Sequence, residues 1–216
     1  MKIEDVINLA KKRGAKTVAV ACCQDKEVLL AVENARKEGI INAILVGDID
    51  KTKQIAESLN ISLENYKLID ISDLSEACLK AVQLVSEGSA DIVMKGLVDT
   101  SIILKAVLNK EIGLRTGNVL SHTGVFHVEG YDKLFFITDA AMNIDPDLNT
   151  KKQIIQNAVK LARALDIDEP KVAVLCAKEK VNPKMPDTVD AKELEEMNKK
   201  GEIKDCIVGG PFALDN

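Results

Sequence analysis

The chain has 216 residues, 46% hydrophobic and 29% charged, a composition ordinary for a soluble protein and long enough to bury a real core in one large domain or two small ones. Its net charge of −5 argues against a nucleic-acid-binding surface, and no run approaches the ~20 apolar residues of a membrane span. Aromatic residues make up 3% with no Trp, so the core must be Val, Ile, Leu and Ala, which suits helices on a parallel sheet of short aliphatic strands.

The first stretch, MKIEDVINLAKKRG, alternates charged and apolar residues as a surface helix does and does not read as a signal peptide. KTVAVACC (16–23) is an aliphatic strand, and DKEVLLAVENARKEG (25–39) a helix with Asp25 as N-cap and Gly39 as its stop. NAILVGD (42–48) and DKTKQIAESLN (50–60) repeat the pair. YKLIDI (66–71) leads into SDLSEACLKAVQLVSEG (72–88), where Ser72 is a candidate cap, and ADIVMKG (90–96) is the fourth strand. This rhythm with short polar links predicts a parallel sheet covered by helices.

The pattern changes after Gly113. GNVLSHTGVFHVEG and KLFFITDAAMN are strand candidates joined by the turn EGYDK. A helix follows over 150–166, with Ile154, Ile155, Ala158, Val159, Leu161, Ala162 and Leu165 on one face. PKVAVLCA (170–177) is a strand, EKVNPKMPDTVDA (179–191) a long loop entering a polar helix over 189–203, and DCIVGGPFALDN starts as a strand. Two domains are expected, 1–113 and 114–216. The last stretch ends just after a strand and a turn, where an α/β sheet needs cover, so the chain is expected to be cut short. Its five cysteines (Cys22, Cys23, Cys78, Cys176, Cys206) lack CxxC spacing and lie mostly in apolar runs. They read as reduced, buried thiols of a cytoplasmic protein.

Three places carry candidate chemistry. In DIVMKGLVDTSIILKAVLNKEIGLRTG (91–117) a buried strand breaks at Lys95-Gly96 and a helix opens at Asp99-Thr100-Ser101. The free N–H groups of that helix start, the hydroxyls of Thr100 and Ser101, and the cations Lys95, Lys105 and Arg115 can hold an anion. Against this, Asp99 opposes an anion and can simply cap, and neither GxGxxG nor a Walker-type motif is present. In SHTGVFHVEG, strand alternation would face His122 and His127 in opposite directions, which argues against a shared metal site. His122, next to Ser121, is the better site candidate. In ITDAAMNIDPDLN, Asp139 follows a buried strand and is a site candidate with Asn143 nearby, whereas Asp145 and Asp147 read as a polar loop capping the next helix. The spacing lacks the Gly and closing Glu of a calcium loop.

These stretches also resemble a known family. KGLVDTSIILKAVLNKEIGLRTGNVLSHTGVFHVEGYDKLFFITDAAMNIDPDLNTKKQIIQNAV, then EKVNPKMPDTVDA and GGPFALDN, are similar to the phosphate acetyl/butyryltransferase family, and most to its phosphate butyryltransferase branch. The resemblance implies reversible transfer of a short-chain acyl group between coenzyme A and inorganic phosphate. Acyl-CoA, phosphate and acyl phosphate would be the small-molecule partners, with coenzyme A as substrate, no tightly bound cofactor and no metal. It implies two α/β/α domains with a cleft between them, in the isocitrate/isopropylmalate dehydrogenase-like style, the chain's end returning to complete the first. It places substrate near Lys95, Gly96, Thr100, Ser101, Lys105, Arg115, Ser121 and Asn143, with His122 and Asp139 as weak catalytic candidates. Lys105 stands near where the acetyl branch has an Arg, and a lysine cannot grip phosphate with two parallel donors. The family's Ser-containing loop and catalytic carboxylate would lie beyond Asn216. An exposed, incomplete C-terminal edge leads to the expectation of a homo-oligomer. Two other readings stay open: a non-catalytic domain that binds CoA or acyl phosphate, and a hydroxy-acid dehydrogenase of the same fold style.

Overall fold

The computed structural model describes residues 2–214, and the chain divides into two compact units, Ile7–Gly117 and Asn118–Asn216 with Met1–Val6. Helix α1 (Ile3–Arg13) opens with Glu4 and Asp5 and closes on Lys11, Lys12 and Arg13, so its charges oppose the helix dipole at both ends.

In the first unit, β1 (Lys16–Ala21), β2 (Ile41–Gly47), β3 (Lys67–Asp70) and β4 (Ile92–Lys95) form one parallel sheet in the order β3-β2-β1-β4. Four helices, α2 (Lys26–Lys37), α3 (Ile49–Ser58), α4 (Leu74–Ser86) and α5 (Thr100–Val107), follow the strands in turn. Alternation along each strand splits the core in two. Val18, Val20, Ala43 and Leu45 pack with Leu29, Val32, Ile49 and Ala56 of α2 and α3. Ala19, Ala21, Ile44 and Val46 face the other way and pack with Ala77, Ala81, Val82 and Ile103 of α4 and α5. Helices therefore cover both faces of this sheet, as expected of an α/β/α layer.

Details differ from the sequence expectation for local reasons. The first strand stops before Cys22, whose φ of 56° cannot continue an extended chain. Asp25 caps α2 by accepting from the Val28 N–H at 3.0 Å, and Gly39 follows the helix at a φ of 75°. The cap of α4 is Asp73 rather than Ser72: its carboxylate accepts from the Glu76 N–H at 2.9 Å, and an ionised oxygen is a stronger acceptor than a hydroxyl. Cys22, Cys23, Cys78 and Cys206 are buried free thiols, and Cys176 is half-buried.

The second unit carries β5 (Gly124–His127) and β6 (Leu134–Ile137) as an antiparallel hairpin, and β7 (Lys171–Leu175) and β8 (Ile207–Phe212) as a parallel pair. Helix α6 (Leu148–Ala164) is capped by Asp147, which accepts from the Thr150 N–H at 2.7 Å. Helix α7 begins at Pro186 and ends at Lys199, earlier at both ends than expected. Pro186 presets the first-turn backbone, and the buried Thr188 hydroxyl locks the preceding turn by donating to the Met185 carbonyl at 2.8 Å. Ile155 and Val159 of α6 meet Leu194 of α7 and Val208 of β8 in one core, and Lys151 ties the helices through Asp187 and Asp190 at 2.9 and 2.7 Å. Along β7, Lys171, Ala173 and Leu175 are exposed while Val172 and Val174 are covered. Among the described residues this unit thus shows an antiparallel hairpin and a parallel strand pair, with α6 and α7 packed on one face of the β7–β8 pair. The last two residues of GGPFALDN lie outside the described residues. Among those described, no helix is long and apolar enough to cross a membrane.

One buried charge stands out in the first unit. Glu33 of α2 is only 6% exposed. Arg36 donates to it twice, at 2.8 and 3.0 Å, and the Tyr66 hydroxyl and Lys37 also reach it. The Arg36 bonds chiefly, helped by Tyr66 and Lys37 against the penalty of burial, pull its carboxyl from the usual 4.5 to about 2. A carboxyl depressed in the folded state contributes stability above its unfolded value and loses it as the pH falls. Thermal melting between pH 4.5 and about 2 should show a falling midpoint that Glu33→Gln flattens. Parallel curves for the two proteins would show that this network does not drive acid unfolding.

Candidate functional site

In an open parallel sheet, the loops at the carboxyl ends separate where the direction of winding reverses, and ligands bind there. With strand order β3-β2-β1-β4, the reversal falls between β1 and β4. Ala21 is in register with Lys95, and the residues just beyond them meet backbone to backbone. The Gly96 N–H donates to the Ala21 carbonyl at 2.8 Å and the Leu97 N–H to that of Cys22 at 3.2 Å. A Cβ on Gly96 would stand 2.2 Å from the Cys22 oxygen and 2.6 Å from that of Ala21, so only glycine permits this approach.

Lys95 folds back over the turn, its ammonium donating to the carbonyls of Val98 at 2.8 Å and Gly96 at 3.3 Å. A lysine has three donors, so one remains for a ligand. Asp99 occupies the N-cap of α5, but its side chain makes no capping bond. Its carbonyl takes the Ile102 N–H at 3.0 Å, whereas among the described residues the N–H groups of Thr100 and Ser101 have no carbonyl partner. Both residues are exposed, so the positive end of this helix carries two N–H and two O–H donors on exposed residues. Lys105 lies four residues after Ser101 and shares its face of α5. Arg115 is exposed in the loop beyond α5.

Behind the turn, the Cys22 and Cys78 sulfurs lie 3.9 Å apart. Burial pushes both thiols up, Cys78 to about 12. Neither is a thiolate near neutral pH, so they are packing residues rather than nucleophiles.

The candidates of the second unit form one hydrogen-bonded cluster at the ends of the hairpin. Asp139 accepts from the backbone N–H groups of His122 and Met142, each at 3.3 Å, and of Asn143 at 3.1 Å. The Asn143 side-chain amide also donates to Asp139 and reaches the Leu120 carbonyl at 3.0 Å. Burial pushes the Asp139 carboxyl up, but the Asn143 amide and the N–H groups of Met142, His122 and Ala141 outweigh it and hold it below the usual range. Such a carboxylate is a poor proton acceptor near neutral pH; its oxygens organise the loop. Strand β5 starts only at Gly124, so Ser121 and His122 lie in the loop before it, and strand alternation does not govern where His122 faces. His127 ends the strand. Among the described residues, no three His, Cys, Asp or Glu side chains are placed to hold a metal ion.

Sequence reading missed three members of this cluster. Thr138 donates to the His122 carbonyl at 2.7 Å. Gln153 accepts from the Val119 N–H at 2.9 Å. Asn157 donates to the Val119 carbonyl and to the Ser121 hydroxyl, both at 2.9 Å. A usable signal existed: Gln153 and Asn157 stand four apart on α6, so two amides share a face beside the apolar stripe.

Comparison with known proteins identifies the group to which this architecture belongs. The family model described as phosphate acetyl/butaryl transferase matches residues 1–80 and 72–216. The phosphate butyryltransferase of Clostridium acetobutylicum is 49% identical over 211 residues, which are 98% of this chain and 70% of that protein. The probable phosphate butyryltransferase of Bacillus subtilis is 44% identical over all of this chain and 72% of its own. The crystal structure of a branched-chain phosphotransacylase from Enterococcus faecalis superposes with a TM-score of 0.77 at 33% identity, covering 93% of this chain and 69% of that one. The chain belongs to the phosphate acetyl/butyryltransferase family, with the mixed α/β fold and parallel sheet of the phosphotransacylases.

Replacing Asp139 with Ala removes the acceptor of three backbone N–H groups. The expected loss is about 2 kcal/mol, the scale of hydrogen bonds to a charged group. It should appear as a lower urea midpoint; an unchanged midpoint would mean that the 139–143 loop holds itself.

Proposed function

We propose that this chain catalyses the reversible transfer of a short acyl group, butyryl or similar, between coenzyme A and inorganic phosphate. The observation that carries the reading is the match along almost the whole chain to phosphate butyryltransferases. In one direction the CoA thiolate attacks the carbonyl of an acyl phosphate, the carbon–oxygen bond breaks and phosphate leaves. In the other, a phosphate oxygen attacks the thioester and CoA departs. Both directions gather negative charge on phosphate and on the carbonyl oxygen, so the site needs preorganised donors and cations rather than a redox centre.

The β4–α5 turn supports the phosphate side of this reading. Thr100 and Ser101 would bind phosphate oxygens through their N–H and O–H groups, with the remaining Lys95 donor beside them. Lys105 and Arg115 would add charge, Arg115 with the planar fork that suits a phosphate. Ser121 and Asn143 are proposed substrate contacts, His122 a neighbour of them, and Asp139 the residue that holds their loops. Coenzyme A is then a substrate, with no tightly bound cofactor. The isocitrate/isopropylmalate dehydrogenase-like style is proposed from the resemblance, domains 1–113 and 114–216 from the change of pattern after Gly113, and a cytoplasmic location from the cysteine usage; a homo-oligomer is proposed as well.

Release of free CoA from butyryl-CoA, followed with a thiol reagent, should require phosphate. Thr100→Ala with Ser101→Ala should raise the KM for phosphate roughly tenfold, the scale of one or two lost hydrogen bonds, and change the KM for butyryl-CoA less. If the unaltered chain binds CoA but shows no phosphate-dependent release, a non-catalytic CoA- or acyl-phosphate-binding domain becomes the better reading.

A further inference from the structure

We infer that Asn157 of α6 is a positioning residue that fixes the Ser121 hydroxyl as an outward hydrogen-bond donor to a negatively charged substrate oxygen. The inference rests on the acyl-transfer reading above, because Ser121 acts only if substrate reaches it.

The orientation follows from donor and acceptor chemistry. The end of the Asn157 amide that faces the Val119 carbonyl, at 2.9 Å, must be the nitrogen, since two carbonyl oxygens cannot hydrogen-bond each other. The same nitrogen lies 2.9 Å from the Ser121 oxygen. An amide nitrogen donates and does not accept, so Ser121 accepts from Asn157 and its own proton must point elsewhere. Among the described residues, no hydrogen bond takes that proton. One helical turn earlier, Gln153 holds the Val119 N–H at 2.9 Å. The peptide groups flanking Val119 are thus gripped through both an N–H and a carbonyl from α6, which removes the freedom of the loop carrying Ser121. The result is a hydroxyl of a half-buried residue whose oxygen is held by one accepted bond and whose proton has no partner among the described residues. Such a group is preorganised for a phosphate oxygen or for the oxyanion that forms on the acyl carbon.

The substitution Asn157→Asp keeps the shape but turns the donor into an acceptor, which draws the Ser121 proton inward. A double-mutant cycle with Ser121→Ala reads the coupling. Phosphate-dependent CoA release is followed for turnover, and titration calorimetry with inorganic phosphate and with CoA for binding. Each single variant should lower kcat/KM or phosphate affinity by roughly 10- to 100-fold, the range for a hydrogen bond to a charged group. The double variant should be no worse than either single one. Losses that multiply would show Asn157 to be merely structural and overturn the inference. So would an unaffected Asn157→Asp or Ser121→Ala variant, while the acyl-transfer reading stood. If the unaltered chain neither turns over nor binds phosphate or CoA, that reading fails and the inference with it. Should Asn157→Asp not fold, Asn157→Ala enters the same cycle with the same expected outcomes.

Discussion

A contact between two pieces of backbone sets the geometry of this protein's proposed phosphate site. At the carboxyl ends of β1 and β4, the chain at Gly96 lies so close to Ala21 and Cys22 that any side chain would strike their carbonyl oxygens. The contact is sealed by the hydrogen bonds of Gly96 and Leu97 to those two residues. It makes β4 end abruptly, and α5 begins within a few residues of the sheet; among the described residues the N–H groups of Thr100 and Ser101 have no carbonyl partner. Lys95 has a matching duty. Its ammonium covers the Gly96 and Val98 carbonyls, whose negative oxygens would otherwise oppose an anion at the same turn. A strand end, a glycine and a lysine together cover a cluster of carbonyls at the turn where phosphate binding is proposed.

The second unit uses charge differently. Asp139 is a carboxylate surrounded by amide donors, and what those donors stabilise is its ionised form. That makes it a weak base and a strong organiser, joining the segments around His122 and Asn143 that are separate in the sequence. The neighbouring Ser121 is held through its oxygen by Asn157. In both cases a donor of the surrounding structure holds an oxygen, fixing the group's position: four for Asp139 and one for Ser121.

Much of the architecture was legible from local pattern. Short aliphatic runs alternating with capped amphipathic segments define the four-stranded parallel sheet, and the break at Lys95-Gly96 marks the turn that carries the candidate anion site. Caps were legible where a carboxylate was available, as at Asp25 and in the polar loop with Asp147, although α6 runs Leu148–Ala164 and not 150–166. At Asp73 a hydroxyl neighbour, Ser72, competed for the role. The first strand was read too long because nothing in an apolar run announces the left-handed backbone at Cys22. The cluster of Ser121, Asp139, Asn143 and Asn157 was the least legible part. The bonds of Asp139 to His122, of Asn143 to Leu120 and of Asn157 to Ser121 span long sequence separations, and the period of a helix or strand speaks only to near neighbours. The residues were individually visible, but the bonds that join them were not: nothing near Asp139 in the sequence announces that the His122 N–H donates to it.

The β4–α5 turn is proposed to bind phosphate through the N–H groups of Thr100 and Ser101. The most direct measurement is a titration of the isotopically labelled chain with inorganic phosphate, followed by amide proton–nitrogen correlation spectra, with chloride at matched ionic strength as the control. Phosphate binding at this turn should give saturable shifts centred on the Thr100 and Ser101 amides, with Gly96 following and no comparable response to chloride. Saturable shifts elsewhere with Thr100 and Ser101 unmoved would contradict it, as would shifts that phosphate and chloride produce equally.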